Sequence, residues 1–535
     1  MVPQNGHKTH ENRRDSALID KKASKVILFG IDGATWTLFD KFISEGYLPT
    51  FEKVVKNGAH GTLLSTVPAV TVPSWTSMFT GVNPGKHGIT DFILNINGKF
   101  SFGTSNFRRC DTVWQIMSRN TLKSIVVNDP ATFPPDKING IMTTGLMTPP
   151  GSTYVHPKEL KSDLERVTGG YWTDLPLDYY LTVNKDDAKA YSMIEEFANK
   201  TAKAGSYLAR NYEWDVLAVI FVSTDKIQHT LWHKPEYILK HYVQMDGILK
   251  EYLDLASNEN ANVLITSDHG FGPLVKTFYI NTWLANIGLQ KRKTNLLALA
   301  SRLGVTPSRL AIMLKKLHLY DRVLRGLIKS DIIVDAAFQY DRPIDIEKSI
   351  AFSKAEGIFI NRELAKDQYE KIREDIMTKI TQVFDHDNSV VSRVYKREEV
   401  MSGDYLDRAP DILFTLNDGY CPTYYSDGPN SQFIGDDKGG YKGGTANTGI
   451  HRPEGIFMSF GPDIRENKLE ESRVWDIAPT ILHMMNLPIP SYMDGSVLKD
   501  IFRQESTMAK KNITKTGYEA YRIKSKLHAL KRTRD

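Results

Sequence analysis

The chain has 535 residues and a formal net charge of +5, and 41% of its residues are hydrophobic while 24% are charged. This composition is typical of globular proteins and allows one large domain with insertions, or two to three domains. The two cysteines, Cys110 and Cys421, exclude a disulfide framework and fit a reducing compartment.

No segment has the apolar length that a signal peptide or a membrane span requires. The N-terminal residues 1–25 are polar and charged, and apolar runs such as 216–222 are too short to cross a bilayer. We therefore expect a cytoplasmic protein.

The positive charge is concentrated in two segments. Residues 291–330 carry a net charge of +9 and residues 509–535 one of +7, which leaves −11 for the remainder. Solvated helical faces are the simplest explanation. With only Tyr518 and Tyr521 as stacking aromatics, the tail is not expected to bind nucleic acid. A weak association of the tail with an anionic membrane surface is the alternative.

The hydrophobic pattern predicts alternating strands and helices. Residues 1–23 are polar, lack periodicity and are expected to be disordered. Short continuous apolar runs, typical of strands buried on both faces, cover 25–32, 124–129, 215–225, 262–270 and 455–462. Helical patterns cover 51–57, 75–79, 188–211, 235–256 and 476–485. This alternation predicts an α/β fold with a mostly parallel central sheet flanked by helices.

The same pattern suggests a division of the chain into a core and an insertion. We expect a catalytic α/β core in two parts with a mainly helical, basic cap insertion between them. Within the core, 91–185 is expected to hold one strand and several loops, and 408–416 is expected to return to the sheet. The expected segments are a tail (1–23), the first part of the core (24–289), the cap (290–400), the second part of the core (401–505) and a basic tail (506–535).

Three of the apolar runs place an acidic residue at or near their carboxyl end. Asp32 ends the first run, Asp225 ends the third, and Asp268 with His269 lies near the end of the fourth. Each acid alone could be a helix cap. Because the carboxyl ends of parallel strands meet at one edge of a sheet, these side chains are expected to converge.

Two further histidines are expected at this edge. His229 lies four residues after Asp225, so the two share one face of a helical turn. His451 follows a glycine-rich segment and precedes the last apolar run. Clustered acids repel one another without a cation, and carboxylate with imidazole suits Zn²⁺ or Mn²⁺. The number of ligands predicts two ions, a recurring arrangement for displacement at phosphorus.

A nucleophile for such a site would have to come from a hydroxyl near a helix N-terminus. Five side chains between residues 71 and 80 carry a hydroxyl group: Thr71, Ser74, Thr76, Ser77 and Thr80. The pattern alone does not indicate which of them is the nucleophile.

Taken in order, the motifs resemble the alkaline phosphatase superfamily, specifically its type I phosphodiesterase/nucleotide pyrophosphatase family. The motifs are VILFGIDGATW, PAVTVPSWTSMFTGVNPGKHGI, STDKIQH, TSDHGFG, HRPEGIFMSFGP and WDIAPTILHMMNLPIPSYMDG. The resemblance implies an alkaline-phosphatase-like fold and hydrolysis of phosphodiester or pyrophosphate bonds through a phosphothreonine intermediate.

The resemblance also implies a role for each matching residue. Thr71 matches the nucleophile. One metal site matches Asp32, Thr71, Asp268 and His269, and the other matches Asp225, His229 and His451. The implied cofactors are two divalent ions, Zn²⁺ first and Mn²⁺ as the alternative.

Ser74 stands where nucleotide pyrophosphatases typically carry an Asn that contacts a phosphoryl oxygen. A serine hydroxyl could donate the same hydrogen bond with a shorter reach. The departure therefore affects the expected specificity for nucleotides more than the expected class of reaction. Lys86 and Arg452 are candidates for contact with an anionic substrate. No role is assigned to His60, His87 or His233.

Related activities stay open as alternatives. Sulfatases need a Cys or Ser with an Arg four residues later, which Thr71 and its neighbours do not provide. A phosphomonoesterase, a phosphonate hydrolase or a phosphotransferase of the same superfamily fits the residues as well. A non-catalytic binding protein is disfavoured because every site residue is present. The expected substrate is a small phosphate ester.

Overall fold

The computed structural model describes residues 24–292, 344–423, 432–435 and 447–517, apart from residues 97 and 184. The predicted disordered tail 1–23, nearly all of the basic segment 291–330 and residues 518–535 of the basic tail lie outside the described residues.

Strands occur throughout the described part of the chain. In chain order they are β1 (Val26–Ile31), β2 (Ala59–Leu64), β3 (Ile93–Ile96), β4 (Lys99–Phe102), β5 (Ser124–Asp129), β6 (Gly140–Thr144), β7 (Val155–His156), β8 (Val216–Phe221), β9 (Asn262–Thr266), β10 (Gly270–Tyr279), β11 (Ala351–Ala355), β12 (Gly357–Ile360), β13 (Phe384–Asp385), β14 (Asn388–Ser389), β15 (Val391–Lys396), β16 (Ile412–Leu416), β17 (Gly419–Thr423), β18 (Ile434–Gly435), β19 (Gly449–Arg452), β20 (Glu454–Phe460), β21 (Asn467–Arg473), β22 (Ile489–Pro490) and β23 (Lys515–Thr516).

The α-helices alternate with these strands. They are α1 (Trp36–Ser44), α2 (Pro49–Asn57), α3 (Thr71–Thr80), α4 (Pro84–His87), α5 (Val113–Arg119), α6 (Lys161–Thr168), α7 (Leu177–Thr182), α8 (Asp187–Asn211), α9 (Ser223–Leu231), α10 (Pro235–Glu259), α11 (Ile280–Asn286), α12 (Arg362–Ala365), α13 (Tyr369–Thr381), α14 (Arg397–Val400), α15 (Ile477–Met484) and α16 (Thr507–Lys510).

A nine-stranded sheet forms the centre of the molecule, in the order β21-β2-β20-β9-β1-β8-β5-β6-β7. β1 pairs in parallel with both β8 and β9. Every residue of β1 and β8 is buried, because helices cover both faces of the sheet. The prediction of an α/β fold with a mostly parallel central sheet is confirmed, and the five predicted strands correspond to β1, β5, β8, β9 and β20.

β20 runs antiparallel to both of its neighbours, β2 and β9. Its first residue therefore lies at the edge of the sheet where β9 ends. This reversal determines where the residues just before β20 are placed.

Residues 91–185 contain more strand than the single one expected. β5, β6 and β7 extend the central sheet, and β3 pairs with β4 in a hairpin. β7 has only two residues and β6 five, so pairing with neighbouring strands determines them more than their own hydrophobic pattern does. The expectation of one strand there was wrong.

The described part of the predicted cap is not purely helical. A four-stranded antiparallel sheet, in the order β11-β12-β16-β15, packs with α13 around a second hydrophobic core that includes Ile358, Ile376 and Ile412. The run at 408–416 thus joins this smaller sheet and not the central one. An apolar run indicates a buried strand but not which sheet it enters.

The smaller sheet is attached to the core through buried polar contacts. Arg408 Nη1 donates to the carbonyl oxygens of Gly88, at 2.8 Å, and Phe107, at 2.9 Å. Asp91 Oδ2 accepts from the backbone N–H of Glu356 at 2.9 Å. These contacts hold the β11–β12 turn above the carboxyl edge of the central sheet.

Candidate active site at the carboxyl edge of the sheet

The acidic residues predicted to converge follow three adjacent strands. Asp32 comes directly after β1, Asp225 lies in the first turn of α9 after β8, and Asp268 follows β9. Since β1 is parallel to both of the other strands, all three carboxyl groups reach the same edge. The structure therefore brings them together as the sequence predicted.

His451 reaches this edge from the opposite direction. It lies on β19, where it pairs with Phe271 of β10, just before β20 begins. Only because β20 runs antiparallel does the residue preceding it lie beside the end of β9. Sequence reasoning named His451 but had no means of predicting this reversal.

Three side chains form what we call the deep group: Asp32, Asp268 and His269. All three are fully buried, and His269 Nε2 lies 3.2 Å from Asp268 Oδ2 and 3.5 Å from Asp32 Oδ1. Among the described residues, neither Asp32 Oδ1 nor Asp268 Oδ2 has a hydrogen-bond partner. Two buried carboxylate oxygens without donors are costly unless a cation lies between them.

Asp225, His229 and His451 form what we call the outer group. Asp225 Oδ1 lies 3.2 Å from His229 Nε2 and 3.1 Å from His451 Nε2. The two Nε2 atoms are 2.8 Å apart. The groups adjoin, because the rings of His269 and His451 stack with centroids 3.7 Å apart.

The opposite ring nitrogen of each histidine contacts a backbone carbonyl. Nδ1 lies 3.1 Å from Gly270 O in His269, 3.2 Å from Gly449 O in His229 and 2.9 Å from Ala69 O in His451. A carbonyl can only accept, so Nδ1 carries the proton and the Nε2 lone pair faces the site. Metal-ligating histidines commonly donate their other ring N–H to a backbone carbonyl in this way, which fixes the orientation of the ring. The carboxylate and imidazole donors therefore fit divalent cations.

Burial, followed by charge repulsion within the cluster, shifts the pKa values of its members. Burial and the charge of Asp225 raise the pKa of Asp32 to about 8. Burial and the charge of Asp32 raise the pKa of Asp268 well above its usual range. Burial, together with the charge of His451, lowers the pKa of His269 well below its usual range. The protein alone thus does not favour a fully charged deep group, and a cation would supply the missing compensation.

Thr71 is the first residue of α3, and its Oγ1 lies 3.3 Å from His269 Nε2. It is 3% exposed. The backbone N–H groups at the start of a helix have no intrahelical partner, so this position combines a hydroxyl with an anion-binding helix end. The other four candidate hydroxyls lie further along α3 and are bonded within the protein.

Ser74 is fully buried and already uses its proton. Its Oγ donates to Asp268 O at 2.6 Å and accepts from Ser65 Oγ at 3.2 Å. The predicted contact to a phosphoryl oxygen would require the bond to Asp268 to break. The geometry favours a different use, which is to hold the loop that carries Asp268.

Two residues that support the site were not predicted from the sequence. Trp75 Nε1 donates to Asp32 Oδ2 at 3.0 Å, and Gln228 Nε2 donates to Gly33 O at 2.8 Å. Trp75 follows Ser74 and Gln228 precedes His229, so each lies inside one of the sequence motifs. Their position within these motifs is the sequence feature that could have indicated a role at the site. Both fix the position of the β1 end.

The remaining charged candidates are engaged within the protein. Lys86 pairs with Asp494, and Arg452 Nε lies 2.9 Å from Asp418 Oδ1. His87 Nε2 lies 2.9 Å from Ser77 Oγ, in the core beside α3. None of these three side chains belongs to the deep or the outer group.

A comparison with protein families identifies the chain at this point. The model of the family described as type I phosphodiesterase / nucleotide pyrophosphatase matches residues 26–442. The chain belongs to this family. As a member of the type I phosphodiesterase/nucleotide pyrophosphatase family, it is an enzyme that hydrolyses phosphoesters. The match contains six of the seven predicted site residues, and His451 lies just beyond it.

No curated protein matches the chain. In the part of the chain that the structure describes, no helix combines the length and apolar character that crossing a membrane requires.

Proposed function

We propose that this family member cleaves phosphodiester or pyrophosphate bonds with two divalent cations and a threonine nucleophile. The observation that carries the proposal is the convergence of three Nε2 lone pairs and two unpartnered carboxylate oxygens on one small volume. Zn²⁺ is the first candidate because imidazole and carboxylate are its common ligands, and Mn²⁺ is the second.

The two groups would each hold one cation. Asp32, Asp268 and His269, with Thr71 beside them, would hold the first, and the outer group would hold the second. When bound, the cations would supply positive charge that favours an alkoxide and stabilises charge developing on phosphoryl oxygens.

Thr71 would act as the nucleophile. Its hydroxyl loses a proton to solvent and its oxygen forms a bond to phosphorus, while the bond from phosphorus to the leaving alcohol or phosphate oxygen breaks. A water oxygen then forms a bond to phosphorus as the bond to the threonine oxygen breaks, which releases the phosphomonoester and returns the free hydroxyl. Thr71 and Val72 would orient the phosphoryl oxygens through their backbone N–H groups. The next two residues would not, because Pro73 has no N–H and the Ser74 N–H donates to Val70 O at 3.1 Å.

The test compares Thr71→Ala with Thr76→Ala. Thr76 is a matched control, because its Oγ1 only donates to Val72 O within the same helix. With Zn²⁺ or Mn²⁺ added, Thr71→Ala should lower turnover of bis(p-nitrophenyl) phosphate by at least about a thousandfold. Metal content should stay nearly unchanged, since three ligands of that site remain. Thr76→Ala should stay close to wild type.

Near-normal turnover in Thr71→Ala would reject the nucleophile. The same assay on p-nitrophenyl phosphate decides the main alternative, because a monoester preference would make the enzyme a phosphomonoesterase. With bis(p-nitrophenyl) phosphate as substrate, acid-quenched wild-type enzyme should carry a p-nitrophenyl phosphoryl group on the peptide that contains Thr71.

Three further predictions concern the whole chain. The first is the set of segment boundaries given above. The second is a cytoplasmic location, which is based on two free cysteines, Cys110 and Cys421. Weak binding of residues 506–535 to anionic membrane is the third. Loss of salt-sensitive liposome binding on removal of this segment would test it.

A further inference from the structure

Lys226 places an ammonium group next to the outer group. It directly follows Asp225 on α9, so the two side chains leave the helix about 100° apart. The Lys226 side chain is only 16% exposed. Its charge also acts on the deep group: burial is the largest influence on the pKa of Asp32, and the charge of Lys226 is one of those that lower it. Lys226 is therefore a mostly buried cation at the carboxyl edge of the central sheet.

The ammonium group has few partners for its three N–H donors. Its ion pair in the described part of the chain is with Asp174, whose Oδ1 lies 3.7 Å from Nζ, which is too long for a hydrogen bond. Nζ makes no hydrogen bond with any of the described residues. A mostly buried ammonium without a hydrogen bond costs free energy, so we expect an acceptor oxygen to complete it.

Asp174 is held in place by other contacts. Its Oδ1 accepts from the Leu175 N–H at 2.8 Å, and its Oδ2 accepts from the Tyr180 hydroxyl at 3.3 Å. Because the Asp174 side chain is 28% exposed and the pair is long, solvent weakens its attraction to Lys226. Pairing with Asp174 is thus a poor explanation for a lysine at this position.

The charges of the deep and outer groups leave an anionic substrate without compensation. The three acids of these groups, together with a Thr71 alkoxide, would carry four negative charges, which two divalent cations would neutralise. The negative charge of a phosphodiester is then not balanced, and attack by the alkoxide concentrates charge on the phosphoryl oxygens. A further cation at this edge of the sheet would balance it.

The two basic residues named from the sequence are already bonded. Lys86 pairs with Asp494. Arg452 Nε lies 2.9 Å from Asp418 Oδ1, and its Nη1 donates to His451 O at 3.2 Å. Of these two residues and Lys226, only Lys226 makes no hydrogen bond with the described residues.

We propose that Lys226 is a substrate-binding residue that donates a hydrogen bond to an oxygen of the phosphoryl group under attack. A charge-assisted hydrogen bond of this kind is stronger than one from a neutral donor. Ser74 does not supply it, because its hydroxyl already donates to Asp268 O. This inference rests on the proposed function and adds to the two cations a positive charge that belongs to the protein itself.

The test uses Lys226→Met, which keeps an unbranched side chain and removes the charge. In the metal-loaded enzyme it should lower kcat/KM for bis(p-nitrophenyl) phosphate by about a hundredfold. The inhibition constant of inorganic phosphate should rise by about tenfold or more. Metal content should equal that of wild type, because Lys226 is not a ligand. Lys226→Arg, which restores the charge, should recover at least about tenfold of the lost kcat/KM.

Lys234→Met is the matched control. Lys234 lies between α9 and α10 and also makes a long ion pair, 3.6 Å from Asp187, but its side chain is 39% exposed. Its replacement should change kcat/KM by about threefold or less. Asp174→Asn separates substrate binding from ion pairing, because it removes the partner and keeps the ammonium. It should cost about fivefold or less. Thermal melting checks that each variant is folded, and Lys226→Gln replaces Lys226→Met if the latter does not fold.

Three results would overturn the inference alone. The first is an unchanged kcat/KM or phosphate inhibition constant in Lys226→Met. The second is an equal loss in Lys226→Met and Asp174→Asn, which would make the ion pair the only role of the lysine. The third is a reduced metal content in Lys226→Met, which would make Lys226 a support of the cation site. Absence of phosphodiester hydrolysis by the metal-loaded wild type would instead overturn the proposed function, and this inference with it.

Discussion

The deep and outer groups contain the same residue types in different surroundings. Side chains of the deep group are fully buried at the ends of β1 and β9, whereas His229 is 20% and His451 14% exposed. The deep group has carboxylate oxygens without partners, and the outer group has two facing imidazole nitrogens. The comparison teaches that one half of the site is enclosed by the core, while the other half is partly open to solvent.

The largest expected effect comes from the deep group. Asp32→Asn should lower turnover by about a thousandfold or more and reduce metal content to about one ion per chain. In the metal-free protein the same change should be neutral or stabilising, because burial and Asp225 oppose the charge of Asp32. Thermal melting with and without metal measures this reversal of sign. A variant that is less stable than wild type in both states would contradict it.

The outer group should tolerate substitution better. His229→Ala removes a partly exposed ligand and leaves Asp225 and His451 in place, so water can complete the coordination. We expect a loss of about a hundredfold in turnover, partly restored by excess Zn²⁺. Equal losses in Asp32→Asn and His229→Ala, both insensitive to added metal, would show that the two halves do not differ.

A supporting residue of the deep group should have a smaller effect. Ser74→Ala removes the hydrogen bond to Asp268 O, and loss of a hydrogen bond that holds a metal ligand in place typically lowers activity by about tenfold. Thr80→Ala is the control, since Thr80 Oγ1 only donates to Thr76 O in its own helix. The measurement is kcat/KM of both variants as a function of the concentration of added Zn²⁺. Indistinguishable curves for the two variants would remove Ser74 from the site.

The smallest expected effect comes from substitution of His87, a buried histidine outside both groups. We expect this substitution to change the stability of the protein and not its activity. Its Nδ1 accepts from the Ile89 N–H at 3.1 Å, and burial with the charge of Arg108 lowers its pKa to about 3. The unfolded chain binds a proton near pH 6.5 while the folded protein does not. Stability from this group is therefore full above pH 6.5 and is lost as the pH falls toward 3.

Between pH 6 and pH 5, the free energy of unfolding of wild type should fall by about 1 kcal/mol more than that of His87→Gln. Urea denaturation at both pH values measures the difference. Parallel pH dependence in the two proteins would mean that His87 is not held neutral in the folded state.

Strands that are buried on both faces were predictable from the sequence. The runs that became β1, β8 and β9 are continuously apolar, and the acids after them reach one edge because parallel strands align their carboxyl ends. The short β6 and β7 were missed, since pairing partners determine them. The run at 408–416 was assigned to the wrong sheet for the same reason.

What the sequence did not contain was the set of contacts between distant segments. His451 reaches the site only because β20 is antiparallel, and no local pattern encodes that direction. The bonds from Ser74 to Asp268 O and from Trp75 to Asp32 depend on how α3 packs against the ends of β1 and β9. Glu356 comes from a segment expected to be mainly helical, but it lies in the turn between β11 and β12, where its N–H donates to Asp91 Oδ2.

Anomalous diffraction from crystals of the zinc-loaded enzyme is the most direct test of the account. We predict two peaks about 4 Å apart, one within bonding distance of Asp32, Asp268 and His269 and the other within bonding distance of Asp225, His229 and His451. A fully active enzyme with no peak, or with a single peak contacting only one group, would contradict the two-cation site.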